Sequence, residues 1–359
     1  MNVMSYGLFV EILRVSLGLQ DKLSVDPSDN DWKALYALAQ KQTLMGVVFN
    51  GIERLPKTQR PPQEVLSRWI ANVIHVEQAN RHLNMRLKDL YDVCCKQSLQ
   101  CCLLKGQGVA RLYPNPLRRQ SGDIDLWVRG KRDEVIKAFK SFSPLTEVCN
   151  HHAHCSIFPD TVVEIHFMPS WMYDPLTDRR LQRFFERNEK EQFSNYNEDL
   201  GVNVTTVSFD LVFSAVHIYR HLFTEGIGLR QLLDYYYILS HSTPGQRAEA
   251  YQTLLTLRMA GFARALMWVL GQVFSLPAEL MLAVPDKKVG EFLLEEIMLS
   301  GNFGKYDTRI TWHGKGVFHV FLNRVKRNFR FLKYFPSEVL WSPIWKVWHF
   351  VWRKVKGFD

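Results

Sequence analysis

Asp123 and Asp125 sit one residue apart in the run Ser121-Gly122-Asp123-Ile124-Asp125-Leu126-Trp127-Val128. On a strand successive side chains alternate faces, so the two acids point one way and Ile124, Leu126 and Val128 the other. Glu164, in the alternating run Thr161-Val162-Val163-Glu164-Ile165-His166-Phe167, offers a third acid on another strand of the same small sheet. Three converging carboxylates repel one another and resist desolvation unless a cation lies among them. The cation that suits such a set is Mg²⁺, which seeks oxygen and keeps positions for water and substrate phosphates. Two such ions bridged by aspartates activate an attacking hydroxyl and stabilise a leaving oxygen.

The run Leu103-Leu104-Lys105-Gly106-Gln107-Gly108 supplies the complement. A short apolar strand enters a glycine turn and then a helix. A glycine there lets a phosphate approach backbone N–H groups and the helix's positive end. Lys105, Arg118 and Arg119 add charge suited to a triphosphate.

Taken together, LLKG, then Arg-Arg-x-x-Gly-Asp-Ile-Asp-Leu-Trp-Val, then Val-Glu-Ile-His resembles the nucleotidyltransferase superfamily of the DNA polymerase β type. More narrowly it is similar to a bacterial family of uncharacterised nucleotidyltransferases that carry Lys-Gly, Arg-x-x-x-Asp-x-Asp and an acid-x-His strand. The close likeness covers about 100–240. It implies a mixed sheet with flanking helices. It also implies transfer of a nucleoside monophosphate from a nucleoside triphosphate to an acceptor, with pyrophosphate release and Mg²⁺ or Mn²⁺. Gly106, Asp123, Asp125 and Glu164 match the family's positions one by one. Asp123, Asp125 and Glu164 are then the catalytic and metal-holding acids, and Lys105, Gly106 and Arg119 face the nucleotide. One residue departs: Gln107 stands where better-characterised members carry Ser or Gly. That departure, with the basic aromatic tail, motivates the rival reading of a non-catalytic scaffold or adaptor at a membrane surface. The resemblance names neither the nucleotide nor the acceptor.

A second constellation lies downstream. His217 and His221 are one helical turn apart, as are Arg230 and Asp234 on the next helix. The narrower family has a similar His…Arg…Asp signature, which implies a helical hairpin closing over the site with Arg230 on phosphate. The plainer alternative is a buried Arg230–Asp234 pair beside a packed His217. His166, His217 and Asp234 are candidates for supporting positions. His151, His152 and His154, flanked by Cys149 and Cys155, fit no common metal template and read as a loop with incidental histidines.

The elements that must position these residues follow from pattern. Leu8, Ile12, Val15 and Leu19 lie at helical spacing, Asp26-Pro27-Ser28-Asp29 caps a helix from Trp32, and a long helix runs from Gln63 to about Gln97. Strands are expected at 101–104, 123–128, 154–158 and 161–167, the last two a hairpin about Pro159-Asp160. The 191–207 link is polar, then β-prone. Helices are expected near 177–189, 208–223, 228–240, 245–258, 261–274, 286–299, 315–333 and 343–355. The fold class is α+β: a small polymerase β-like mixed sheet, residues 100–170, between helical regions 1–99 and 171–359.

Net charge is +9, and ten basic residues against two acids from Lys315 onward carry +8 of it. The tail interleaves these with Trp and Phe. Its simplest reading is a helix packing its aromatic face on the domain with a basic outer face. Contact with an anionic membrane surface is a second reading, and nucleic acid a less favoured third. The six cysteines form no CxxC spacing and suit a reducing compartment. No run reaches a membrane-spanning length, and the first residues read as a helix rather than a signal peptide. The expected location is the cytoplasm, with peripheral membrane contact through 315–356.

Overall fold

The computed structural model describes residues 3–307, 309 and 317–358. Helices α1 (Val3–Ser16), α2 (Asp29–Gln42), α3 (Met45–Arg54) and α4 (Gln63–Lys96) come first. Ser28 caps α2 as expected: its hydroxyl accepts from the Asp31 N–H, and the Asp31 carboxylate accepts from the Ser28 N–H. On α4 the buried stripe runs through Trp69, Val73, Val76, Leu83, Leu87 and Leu90, while Ile70 and Ile74 are exposed.

The sheet follows: β1 (Cys101–Leu104), α5 (Gly106–Ala110), β2 (Asp123–Val128), α6 (Arg132–Lys140), β3 (Leu145–Thr146), β4 (His152–Cys155) and β5 (Val162–His166). The strand order is β1-β2-β5-β4-β3. β2 and β5 are parallel, and the other neighbours antiparallel. One face is apolar throughout: Ile124, Leu126, Val128, Val163 and Ile165 pack on Leu83, Leu87 and Leu90 of α4 and on Val135, Ile136 and Phe139 of α6. The other face is split. Cys102, Leu104 and Trp127 join the large helical core, Trp127 against Phe185, Phe193 and Phe209. The remainder of that face carries the acids and histidines.

Helices complete the chain: α7 (Pro175–Gln192), a two-stranded ribbon of β6 (Tyr196–Asn197) and β7 (Val202–Asn203), α8 (Val207–Thr224), α9 (Leu229–Ser240), α10 (Pro244–Thr256), α11 (Ala260–Phe274), α12 (Lys287–Ser300), α13 (Val317–Asn328) and α14 (Pro336–Lys356). The large core draws on helices from both ends of the chain. The fold is thus α+β, mostly helical around a mixed sheet, as expected. α14 begins seven residues before the expected start and continues through Pro343. Lys315 and the side chains of Phe318, Phe321 and Arg324 lie outside the described residues. No helix among the described residues is long and apolar enough to cross a membrane.

The tail's inner face follows the simplest sequence reading. Trp345 stacks on Trp171 with ring centres 3.7 Å apart. Glu338 accepts hydrogen bonds from the N–H groups of Tyr173 and Asp174.

Candidate active site

Register decides which side chains meet. Asp125 on β2 lies beside Glu164 on β5, and Glu164 beside His154 on β4. One row along the sheet, Trp127 neighbours His166, which neighbours His152. Directly paired residues project from the same face, so this register gathers Asp123, Asp125, Glu164, His166, His152 and His154 on one side of the sheet.

Lys105 closes the β1 end of the row. Lys105 and Gly106 both have positive φ, 51° and 48°. For a lysine that conformation is strained by about 1–3 kcal/mol and needs the surroundings to hold it. Here the Lys105 ammonium lies 2.9 Å from Asp125 Oδ1. His166 Nε2 reaches the same oxygen at 2.9 Å and Glu164 Oε2 at 3.4 Å. Asp125 and His166 are buried, whereas Asp123 and Glu164 are partly open to a cavity of about 350 Å³. A smaller pocket lined by Gly106, Ser121, Asp125 and Arg230 adjoins it and shares Lys105, Asp123 and His217.

The electrostatics follow from crowding. The Asp125 charge, then burial, push the Asp123 carboxyl up, and Lys105 offsets only part. Burial opposes a charged Lys105, but Asp125, Asp123 and Glu164 more than compensate and raise its pKa. Burial likewise opposes a charged His166, yet its bonds to Asp125 and Glu164 lift it to about 9. Burial alone would raise Glu164, but the His166 hydrogen bond and nearby positive charge hold it well below the usual carboxylate range.

The donor set suits a divalent ion. Ligand atoms of Asp125, Glu164 and His166 lie within 4.8 Å of one another, and Asp123 shares their face. Among the described residues, no cation lies within ion-pair distance of Asp123, while two converge on Asp125.

Other expected site residues have different neighbours. Arg119 is buried and bidentate on Asp234, both contacts 2.7 Å, and its third nitrogen donates to Ser121 Oγ. Tyr113 also donates to Asp234, at 2.6 Å. The alternative of an Arg230–Asp234 pair is therefore replaced by an Arg119–Asp234 pair across the layers. Arg118 turns away to Glu53, Glu77 and Asn50. Arg230 donates to the Gln120 carbonyl, its Nε is buried without a hydrogen-bond partner, and it lines the smaller pocket. His217 lines both cavities, and burial keeps it neutral. Gln107 points behind the site: its amide donates to Asn80 of α4, and it borders a separate cavity with Arg111 and Leu117.

One feature corrects the sequence reading and a second is absent from it. His152 and His154 belong to β4, His154 beside Glu164 and His152 beside His166, which corrects the reading of these histidines as loop residues. Arg220 lines the main cavity, its guanidinium 3.4 Å from the Trp171 ring centre. Its signal was present: His217, Arg220, His221 and Thr224 fall at i, i+3, i+4 and i+7, and all four line the cavity.

The sheet, the acid row and the flanking helices have the layout expected of a nucleotidyltransferase-like core. Residues 28–275 match the family described as uncharacterised nucleotidyltransferase, and the chain belongs to that family. No curated protein matches the chain. Among solved structures, an antigenic nucleotidyltransferase-like protein from Paracoccidioides brasiliensis is similar over 58% of this chain and 96% of that one, with 14% identity and a TM-score of 0.36.

Proposed function

We propose that this protein is a metal-dependent nucleotidyltransferase that moves a nucleoside monophosphate from a nucleoside triphosphate to an acceptor hydroxyl. The observation that carries the reading is the Asp125–Glu164 pairing on adjacent strands, with Asp123 on the same face and Lys105 and Arg230 on the walls. Asp123, Asp125 and Glu164 hold Mg²⁺ or Mn²⁺. The bound ions supply charge for the transferring phosphoryl group and for the leaving pyrophosphate. Lys105 and Arg230 offer fixed positive charge to phosphate oxygens, and the Gly106 turn keeps bulk away from them. His166 orients Asp125 and Glu164. Asp234 acts at one remove: it pins Arg119, and with it the segment that delivers Asp123 to the site. His217 gives the cavity wall a neutral polar group.

The test is incubation with Mn²⁺, α-labelled triphosphates and mixed acceptors. Label transfer with pyrophosphate release, lost in Asp123→Asn and Asp125→Asn, supports the reading. Metal-dependent triphosphate binding without turnover under any acceptor would favour the scaffold reading instead.

A second observation concerns where the protein works. On the outer face of α14, Leu340, Ile344, Val347, Val351 and Val355 lie at helical spacing and are each more than half exposed. Trp341, Trp348, Phe350 and Lys354 border the stripe. An exposed apolar stripe bordered by aromatic and basic side chains suits the interface of an anionic bilayer. Sedimentation with phosphatidylserine vesicles, but not phosphatidylcholine vesicles, is the expected result, reduced by Ile344→Asp. Self-association through α14 in the absence of lipid would instead make the stripe a contact between copies.

A further inference from the structure

We infer that His152, His154 and Glu164 form a transition-metal site of their own, selective for Zn²⁺ and its neighbour Co²⁺ over Mg²⁺. The alternation of β4 puts His152 and His154 on one face, and antiparallel pairing sets His154 directly beside Glu164. The three side chains each present a ligand atom within 4.8 Å of the others. His154 Nε2 is 3.4 Å from Glu164 Oε1. Two ligands of one tetrahedral ion, each about 2.1 Å from it, stand roughly 3.4 Å apart. The His154–Glu164 pair already has that spacing, and only His152 must close in.

The outer surroundings support the same assignment. His152 Nδ1 is 2.8 Å from His151 Nε2. That contact fixes the His152 ring and leaves its Nε2 to face an ion, as outer partners do for metal-bound imidazoles. On the far side of Glu164, His166 bonds the other carboxylate oxygen, which holds Glu164 in place. Glu164 and His152 line the main cavity, so the fourth position opens to solvent or substrate. Two imidazoles and one carboxylate suit first-row transition ions, whereas Mg²⁺ asks for an octahedron of oxygens.

This site needs neither the aspartate pair nor a nucleotide, so it stands or falls apart from the proposed transfer reaction, although it shares Glu164. The experiment titrates untagged protein with Co²⁺ and Zn²⁺, without nucleotide, by visible absorption and calorimetry. The expected result, with millimolar Mg²⁺ present to occupy the aspartate site, is one equivalent of Co²⁺, displaced by Zn²⁺ but not by the Mg²⁺. The exposed-histidine control His75→Gln should bind like wild type, and Asp123→Asn should cost far less than either histidine variant. His152→Gln and His154→Gln should each weaken binding more than about tenfold, since losing even an outer partner costs a metal 10–100-fold. Both histidines are partly exposed, and thermal melts confirm that the variants fold. Co²⁺ binding unchanged in both histidine variants overturns the inference, as does displacement by equal Mg²⁺ or an equal loss in Asp123→Asn. Label transfer by a protein that fails this test leaves the transfer reaction standing.

Discussion

Replacing Arg119 with Met separates a structural pin from a phosphate ligand. In the folded protein Arg119 gives two hydrogen bonds to Asp234 and one to Ser121, and Tyr113 gives Asp234 another. Arg119 and Asp234 are both buried. Arg119→Met therefore strands a carboxylate in the interior with Tyr113 as its remaining strong donor. Breaking a buried ion pair by removing one partner costs about 3–5 kcal/mol. At about 2.1 cal/mol/K of unfolding entropy per residue, a chain of this length should lose about 4–7 °C in melting temperature. Asp234→Leu should cost a similar amount. The double variant should be milder than the sum by up to about 3 kcal/mol, because no charge is left stranded. Thermal and urea denaturation of the four proteins give this cycle, and triphosphate titration of each gives the second readout. A variant that melts with wild type while losing triphosphate affinity would refute the assignment and make Arg119 a phosphate ligand.

Asp210, in the first turn of α8, is fully buried, and burial lifts its pKa from 3.8 to about 7, Thr205 and Arg111 offsetting only part. The folded state then keeps a proton that the unfolded chain releases between about pH 4 and 7, so stability falls as pH rises through that window and is flat above it. Asp210→Asn should remove the slope and stabilise the protein at pH 8 by up to about 4 kcal/mol, from 1.36 kcal/mol per pH unit; parallel pH–stability curves for the two proteins would contradict this. Gln107→Met should lower stability by about 1 kcal/mol through the lost bond to Asn80. Triphosphate affinity should not change, and a large affinity loss in calorimetry would place residue 107 in the phosphate grip after all.

Much of the site was legible because strand alternation is a strict rule. Asp123, Asp125, Glu164 and His166 were each assigned the correct face from period alone. What alternation cannot give is strand order. Glu164 meets Asp125 because β5 inserts beside β2 in parallel, and that pairing depends on tertiary packing. His152 was left outside the strand because the Pro159-Asp160 turn drew the expected hairpin arm two residues late, to 154–158, whereas β4 spans His152–Cys155. Helix α3 left little trace, since Gly46 and Gly51 weaken helical propensity. Their role is close approach: a Cβ on Gly46 would stand 2.3 Å from the Arg118 carbonyl, and one on Gly51 2.7 Å from that of Ile12. The sequence displays the charge of Arg118 and Arg119 but not their pairing with Glu53, Glu77 and Asp234, and Arg119, so paired, still lines the smaller pocket. Pro343 set the expected start of α14 too late, because proline usually opens a helix and here lies inside one.

The most direct measurement is calorimetric titration of the intact protein with a non-hydrolysable triphosphate in Mg²⁺ or Mn²⁺, beside Asp125→Asn. Asp125 is the acid that Lys105 and His166 both grip and that Glu164 adjoins. Binding by wild type that requires the metal, and that falls at least about tenfold in Asp125→Asn, is the predicted result. Equal binding by both proteins, or none by wild type across the common nucleotides, would contradict a nucleotidyl-transfer site at these acids.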